Sequence, residues 1–396
     1  MEEWGKKMKS FTYYQPTEIR YGVGRLNELG EIALKYGKKC LLVTTPTGPA
    51  REPMYDRVKS ILKDSGLEVA HFDQVQQNPT TENIAAGAEL AIHHNADVIV
   101  GFGGGSSMDS AKAIAVEATH EGSCWDYLYY KKQPTDKTLP VIAISTTSGT
   151  GSQVTQVAVV TNTKERDKSA LYNSIIYPRV CIIDPELMVT VPQHITASTG
   201  FDAFCHAFES MLHPNSSVYL DCLALDAIKL VAENLPVVLD DLTDLDARAH
   251  LAVADTFAGL CIANAGVTLP HGVGMAISGM YPHVIHGESL AIIYPAFTRF
   301  TYKHAVKQFA AVARIFDPSI NGLSDEKAAE KSCQIIDDFI ERVDMRITLK
   351  DAKMPEKEIP ALAEQSMVLP DYKGNPRVAT ENEMLELIKQ AYYGLN

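Results

Sequence analysis

Between residues 38 and 184 the chain repeatedly sets a short, wholly apolar run beside a longer segment with helical spacing, and this alternation limits the fold more than any other feature. KKCLLVTT (38–45), ADVIVGFG (96–103) and LPVIAIST (139–146) read as strands, LEVAHF as a shorter run, and VAVVTN and RVCIID as further strands. Residues 55–65, 83–94 and 106–119 carry helical patterns between them. Strands apolar on both faces need cover on both faces, so the pattern predicts an α/β domain with a mostly parallel sheet between helix layers. The pattern stops near DPELMVTVP (184–192). Beyond it the apolar residues recur at helical spacing over 217–233, 245–264, 288–313, 325–343 and 381–392, which predicts an all-α second domain. A length of 396 residues suits two cores, and the division is expected near 190: 1–190 as the α/β domain and 191–396 as the α-helical one.

Charge and cysteine usage narrow the function classes. The formal net charge is −13 with no lysine- or arginine-rich run, which argues against a nucleic-acid partner, since that needs cations to neutralise phosphates. The seven cysteines are odd in number, scattered and free of any C-x-x-C pair, so reduced thiols and a cytoplasmic location are expected. MEEWGKKMKSFTYY has no apolar core of a secretory signal. The most apolar long segment, 251–270, includes Asp255 and Asn264 and is expected as a buried helix, not as a membrane span.

Two stretches offer nucleotide chemistry. DVIVGFGGGSSMDSAK (97–112) passes from a strand through Gly103, Gly104 and Gly105 into a helix start, with Ser106 and Asp109 spaced as an S-x-x-D cap. Glycines let a ligand approach the main chain, and free N–H groups at a helix start bind anions, so a diphosphate fits. The order is not G-x-G-x-x-G, and a tight turn without ligand is the alternative. TTSGTGSQVT (146–155) is by itself a polar loop; with the glycine run it reads as the opposite wall of a nucleotide cleft. Lys168 is a further candidate for a phosphate or ribose, although a single lysine is usually solvated.

FDAFCHAFE (201–209) sets Asp202 and His206 one helical turn apart among phenylalanines, and Glu209 and His213 continue the polar stripe. A buried carboxylate needs a partner or a metal. From this segment alone, a solvated stripe or an internal Asp–His hydrogen bond is the simpler reading. Downstream, NAGVTLPHGVGMAISGMYPHVIHGESLAIIYP (264–295) places His271, His283 and His286 among glycines and apolar residues. One aspartate with three histidines would suit Fe2+ or Zn2+ with a position left open for substrate.

Taken in order, NPTTEN (78–83), GGGSSMDSAK (103–112), TTSGTGSQVT (146–155), DPEL (184–187), TGFDAFCHAFE (199–209) and HG-x13-HG (271–287) resemble the iron-containing (group III) alcohol dehydrogenase family, of the butanol and 1,3-propanediol dehydrogenase kind, from about Thr12 onward. The resemblance implies a dinucleotide-binding α/β domain, a helical domain and a metal between them. It implies Asp202, His206, His271 and His286 as metal ligands. Gly104, Gly105, Ser106 and Asp109 match the pyrophosphate and nicotinamide side, and Asn78, Thr146, Thr147, Thr150, Thr155, Lys168 and Leu187 match other cofactor contacts. The implied reaction is reversible hydride transfer between NAD(P)H and a small aldehyde or primary alcohol, in a protein expected to form homo-oligomers.

The chain also departs from the family. Met275 stands where a second histidine usually relays protons, so no catalytic residue is assigned with certainty, and His283, His213, water or direct exchange of the substrate alcohol with solvent are the substitutes. His271 and His286 are one residue further apart than usual, with the extra residue in GMYPHVI; His283 as fourth ligand is the alternative to His286. Gln153 replaces the more usual glutamate, with no chemical consequence evident from sequence. Thr45 ends LLVTT where NAD-selective members carry an aspartate, which leans the cofactor from NAD toward NADP. A dehydroquinate synthase-like lyase using NAD and a metal, and a non-enzymatic nucleotide-binding redox sensor, are the rival readings; the first would need more lysine and arginine near the metal.

Overall fold

The computed structural model describes residues 9–394, so part of the N-terminal stretch read above for a signal lies outside the described residues. In chain order the N-terminal domain comprises β1 (Glu18–Tyr21), α1 (Leu29–Leu34), β2 (Lys39–Val43), α2 (Glu52–Asp64), β3 (Glu68–Phe72), α3 (Thr81–His94), β4 (Val98–Gly103), α4 (Gly105–Glu117), β5 (Val141–Ser145), β6 (Val157–Asn162), β7 (Asp167–Tyr172) and β8 (Val180–Ile183). Six strands form one sheet in the order β1-β8-β5-β4-β2-β3 with every pairing parallel. The central strands are buried on both faces, as their apolar runs predict: one face packs Leu42, Val100 and Ile144 on α1 and α2, the other packs Leu41, Ile99 and Val141 against α3 and α4. From β2 the chain moves outward to β3, then returns to lay β4, β5 and β8 on the opposite side. The reversal between β2 and β4 opens a crevice at the carboxyl ends of those strands, the place where such sheets take their ligands.

Two expectations change. VAVVTN is not part of the main sheet; β6 pairs antiparallel with β7 in a separate hairpin. β1 and β7 escape the sequence pattern, β1 because it is a short edge strand with mostly exposed residues, β7 because its sequence DKSALY is largely polar.

The C-terminal region is helical: α5 (Gln193–Leu212), α6 (Val218–Asp240), α7 (Leu245–Asn264), α8 (Leu269–Met280), α9 (His286–Thr301), α10 (Val306–Phe316), α11 (Asp325–Arg342), α12 (Ile359–Gln365) and α13 (Glu381–Tyr393). The helix expected over 288–313 is two, α9 and α10, separated at Tyr302–His304 by a short 3-10 turn. The apolar stretch 251–270 is likewise divided between α7 and α8, which meet at a bend of 99°. Among the described residues no single helix is long and apolar enough to cross a membrane. All seven cysteines are free, and only Cys222 is exposed.

α5 runs through the middle of this bundle. Phe201, Phe204 and Phe208 are fully buried and pack on Tyr294, Phe316, Phe339 and Phe309. That aromatic anchor fixes the rotation of α5, and with it the direction of the polar stripe on its other side.

Candidate metal and cofactor centre

α5 presents Asp202, His206 and Glu209 at successive turns, all buried. The first turn of α8 supplies His271, and α9 begins with His286. Three imidazoles converge on one carboxylate oxygen: His206, His271 and His286 place Nε2 at 3.5, 3.6 and 3.9 Å from Asp202 Oδ1. The donor atoms of Asp202, His271 and His286 lie within 4.8 Å of one another, and the rings of His206 and His271 stack at 4.7 Å. These separations are too long for good hydrogen bonds, which rules against the internal Asp–His bond. The 3.5 and 3.6 Å separations match the roughly 3.3–3.6 Å edges of a tetrahedral ion with bonds near 2.1 Å, and the 3.9 Å one is slightly longer. Asp202 Oδ1 and His271 Nε2 are buried without any hydrogen-bond partner, a costly arrangement for a carboxylate and an imidazole unless a cation joins them. Asp202, His271 and His286 therefore fit a divalent metal, and His206 falls outside that mutual distance although its Nε2 lies close to the same carboxylate oxygen.

The neighbouring groups orient the rings. His271 Nδ1 lies 2.8 Å from Glu209 Oε1, and Glu209 Oε2 accepts from Thr268 N at 2.8 Å and Thr268 Oγ1 at 3.2 Å. His206 Nδ1 lies 3.0 Å from the Gly149 carbonyl oxygen. An acceptor opposite each Nδ1 keeps the proton there and leaves Nε2 free as a donor to a metal. Burial pushes the Asp202 pKa up, but the surrounding histidines, His206 first, outweigh it and hold it at about 2. Burial likewise depresses His206 and His286. It depresses His271 too, yet Glu209 and Asp202 reverse the effect and raise that ring to about 10, so a cation bound at Nε2 takes the place of the proton that would otherwise sit there. Sequence reasoning saw Glu209 only as the continuation of a stripe; its burial and four donors are tertiary facts, since Tyr294 OH also points at it.

His283 and His213 do not join this group. His283 Nε2 faces the Ala352 carbonyl at 3.0 Å, and His213 Nδ1 accepts from Asn215 N while its ring lies beside Gly374. Met275 is buried in α8. Neither substitute for the proton relay is therefore placed at the cluster, and water or direct exchange is what remains of that expectation.

On the cofactor side, Gly103 ends β4 with φ 147°, a conformation that suits glycine, and Gly104 is the extended N-cap of α4. The S-x-x-D cap is a correction: Ser106 lies inside the first turn, and Asp109 turns away to accept from Ser152 Oγ at 2.6 Å and Val159 N at 3.0 Å. In that first turn Ser107 N and Met108 N bond the Gly104 carbonyl at 3.0 and 3.2 Å, which leaves the N–H groups of Gly105 and Ser106 as the candidates for a diphosphate. Thr147 and Thr150 lie against Gly104 and Gly105, so the glycine run and the 146–155 loop form adjoining walls. Thr146 N bonds the Gly103 carbonyl. Thr155 Oγ1 takes a long bond from Lys112 Nζ, a fully buried lysine whose further bonds go to Ser152 and the Val157 carbonyl. Lys168, also buried, donates to Asn78 Oδ1 at 2.9 Å, and Asn78 donates to the Pro282 carbonyl. Burial lowers the Lys168 pKa to about 8, with Asp202 and Asp109 opposing that fall. Leu187 is buried in the turn after β8, and Thr45, past the end of β2, is 2.8 Å from Tyr55 OH. Gln153 has a consequence after all: its Nε2 donates to Asp255 Oδ2 at 2.8 Å.

A parallel sheet with a ligand crevice at its switch point, together with a buried cluster of one aspartate and three histidines on helices, suits an enzyme that pairs a nucleotide with a metal. The chain belongs to the iron-containing alcohol dehydrogenase family: residues 16–185 match the family model described as iron-containing alcohol dehydrogenase, and 196–392 match its C-terminal model. It is 35% identical over 387 residues to a choline dehydrogenase of Bacillus subtilis, covering 97% of this chain and 96% of that one. It is 33% identical to a 1,3-propanediol dehydrogenase of Klebsiella pneumoniae over 97% of this chain and 99% of the other. Among solved structures, an archaeal halo-thermophilic alcohol dehydrogenase from a Red Sea brine pool superposes with a TM-score of 0.93 at 32% identity, covering 97% and 99% of the two chains. The protein is an oxidoreductase acting on alcohols, of a family that uses iron and NAD(P). The lyase and sensor readings are thereby set aside.

Proposed function

We propose that Asp202, His206, His271 and His286 hold an iron ion, with Zn2+ as the alternative occupant, and that the substrate is a small primary alcohol or its aldehyde. The observation that carries this is the convergence of three Nε2 atoms on Asp202 Oδ1 with two buried donor atoms left unpaired. When bound, the metal supplies Lewis acidity toward the substrate oxygen and the nicotinamide gives or takes the hydride. The chain's own work is positioning. Glu209 and the Gly149 carbonyl keep protons on Nδ1 of His271 and His206, so both rings present Nε2. The glycine run, Ser106 and the 146–155 loop receive the diphosphate through main-chain N–H groups, and Asn78 holds Lys168 at the cofactor side of the metal centre. Met275 offers no titratable group, so the alcohol proton has no imidazole relay at that position.

The named relatives act on choline, 1,3-propanediol and, in Bacillus methanolicus, methanol, which supports a primary hydroxyl as the common feature of the substrate. NADP is favoured over NAD because Thr45 brings no charge to the position where a 2′-phosphate would sit. A division near residue 190 is supported by the last strand ending at Ile183 and α5 beginning at Gln193. A homo-oligomer is supported by edge strand β1, where Ile19 and Tyr21, with Val23 just beyond, are exposed. Metal analysis with an aldehyde panel run against NADH and NADPH tests the reading. Turnover of butanal or propanal that requires iron is expected, and full activity in metal-free protein would overturn it.

A further inference from the structure

We propose that Asp255 is a positioning residue: its carboxylate, on the helical half, holds the 146–155 loop in the shape that aims His206. The inference rests on the proposed metal site. It starts from Gln153, an amide that is fully buried and faces a carboxylate across the domain gap. In this chain the partner across the gap is Asp255 on α7, itself 1% exposed. Asp255 Oδ2 accepts from Gln153 Nε2 at 2.8 Å, and its Oδ1 accepts from the Gly151 main-chain N–H at 2.8 Å. An amide facing a carboxylate is a matched pair; two carboxylates there would repel.

The loop between them has little freedom to be held otherwise. Gly151 has φ 63°, and a Cβ on it would stand 2.6 Å from Gly259 Cα on α7, so the two backbones touch with no side chain between. Two residues earlier, the Gly149 carbonyl takes the His206 Nδ1 proton. A shift of the turn at Gly151 therefore moves the acceptor that fixes the tautomer and direction of His206. On its far side the same loop is tied to the N-terminal domain by Ser152, which donates to Asp109 and accepts from Lys112. Asp255 thus completes a line running from the cofactor wall through the loop to the metal cluster. The groups that face it are the Gln153 amide, the Gly149 and Gly151 N–H groups, Asp202 on α5 and the Cys181 thiol on β8. Burial raises its pKa to about 7, with the hydrogen bonds from Gly151 and Gln153 opposing.

An exchange of charge tests this. Gln153→Glu places two carboxylates face to face. At pH 8 it should lower iron retention and NAD(P)H affinity, read by metal content after gel filtration and by nicotinamide fluorescence, by about tenfold or more. Both should recover toward pH 6, where the pair takes up a proton. Adding Asp255→Asn rebuilds an amide–carboxylate pair with its polarity reversed and keeps an oxygen for Gly151 N–H, so the double variant should return to within about threefold of the parent at pH 8. Gln153→Glu behaving as the parent overturns the proposal. So does a double variant no better than the single one in iron retention, cofactor affinity or soluble yield. A parent that binds no metal would sink the metal reading instead, so the two failures are told apart.

Discussion

Glu209→Gln is the change whose effect the structure specifies most closely. The carboxylate is completely buried and every neighbour is a donor: His271 Nδ1 and Tyr294 OH on Oε1, Thr268 N and Oγ1 on Oε2. An amide keeps the shape but has one accepting oxygen. If that oxygen stays toward His271, the new NH2 meets the Thr268 N–H across 2.8 Å and one buried charged hydrogen bond becomes a clash of donors. If the amide turns over, His271 must accept at Nδ1, its proton moves to Nε2, and the atom meant for the metal is blocked. Either way the variant should lose metal affinity by about 10- to 100-fold, the usual cost of removing a group that orients a ligand. Folding stability should fall by roughly 1–3 kcal/mol. The assay is anaerobic Fe2+ titration of apo-protein against a competing chelator, with thermal unfolding and NAD(P)H fluorescence run alongside. Nucleotide affinity should not move, because every group bonded to Glu209 belongs to the helical region: Thr268, His271 and Tyr294. Tyr294→Phe, which removes only a 3.5 Å contact, should cost less than about 1 kcal/mol. Parental iron affinity in Glu209→Gln would refute the tautomer argument and leave the residue as a space-filler.

Three further outcomes are expected. Asp202→Ala or His271→Ala should abolish bound metal and turnover while leaving nucleotide binding largely intact, checked by metal content and fluorescence titration. Thr45→Asp should shift the NADPH to NADH preference by about tenfold toward NADH, read as a ratio of kcat/KM values, because a carboxylate there repels a 2′-phosphate. Glu383 caps α13 with Thr380, whose backbone N–H and hydroxyl it accepts, and those bonds hold its carboxyl down to about 2 from 4.5. A depressed acid pKa contributes stability that is present above 4.5 and is lost as pH falls toward 2. Glu383→Gln should flatten the fall in Tm between about pH 5 and pH 2.5, and an unchanged slope would contradict the assignment.

The α/β architecture could be read from the sequence because parallel strands covered on both faces must be apolar throughout, as KCLLV and VIVGFG are. Helix ends were less readable: 288–313 runs on in hydropathy, yet the chain turns at Tyr302–His304 because α10 packs on α11. The metal cluster was legible as a residue set only through the ordered family motifs, since Asp202 and His206 alone suit a simple polar stripe. What fixes those ligands was not legible. Glu209 to His271 spans 62 residues and Gln153 to Asp255 spans 102, and no local pattern records such pairings. The S-x-x-D motif misled for a related reason. Its aspartate has a stronger use in bonding Ser152 and Val159, and the extended Gly104 takes the capping position without a side chain.

The sealing of the thiols bears on how the enzyme ages in air. Six of the seven cysteines are buried, and burial pushes Cys40 and Cys261 up to about 12, with Cys124, Cys181, Cys205 and Cys333 also raised. Buried, protonated sulfur is a poor target for oxidants. Only Cys222, on the outward side of α6, stays open to solvent. Activity lost on aerobic storage should therefore not return with a thiol reductant, whereas fresh ferrous ion should restore it.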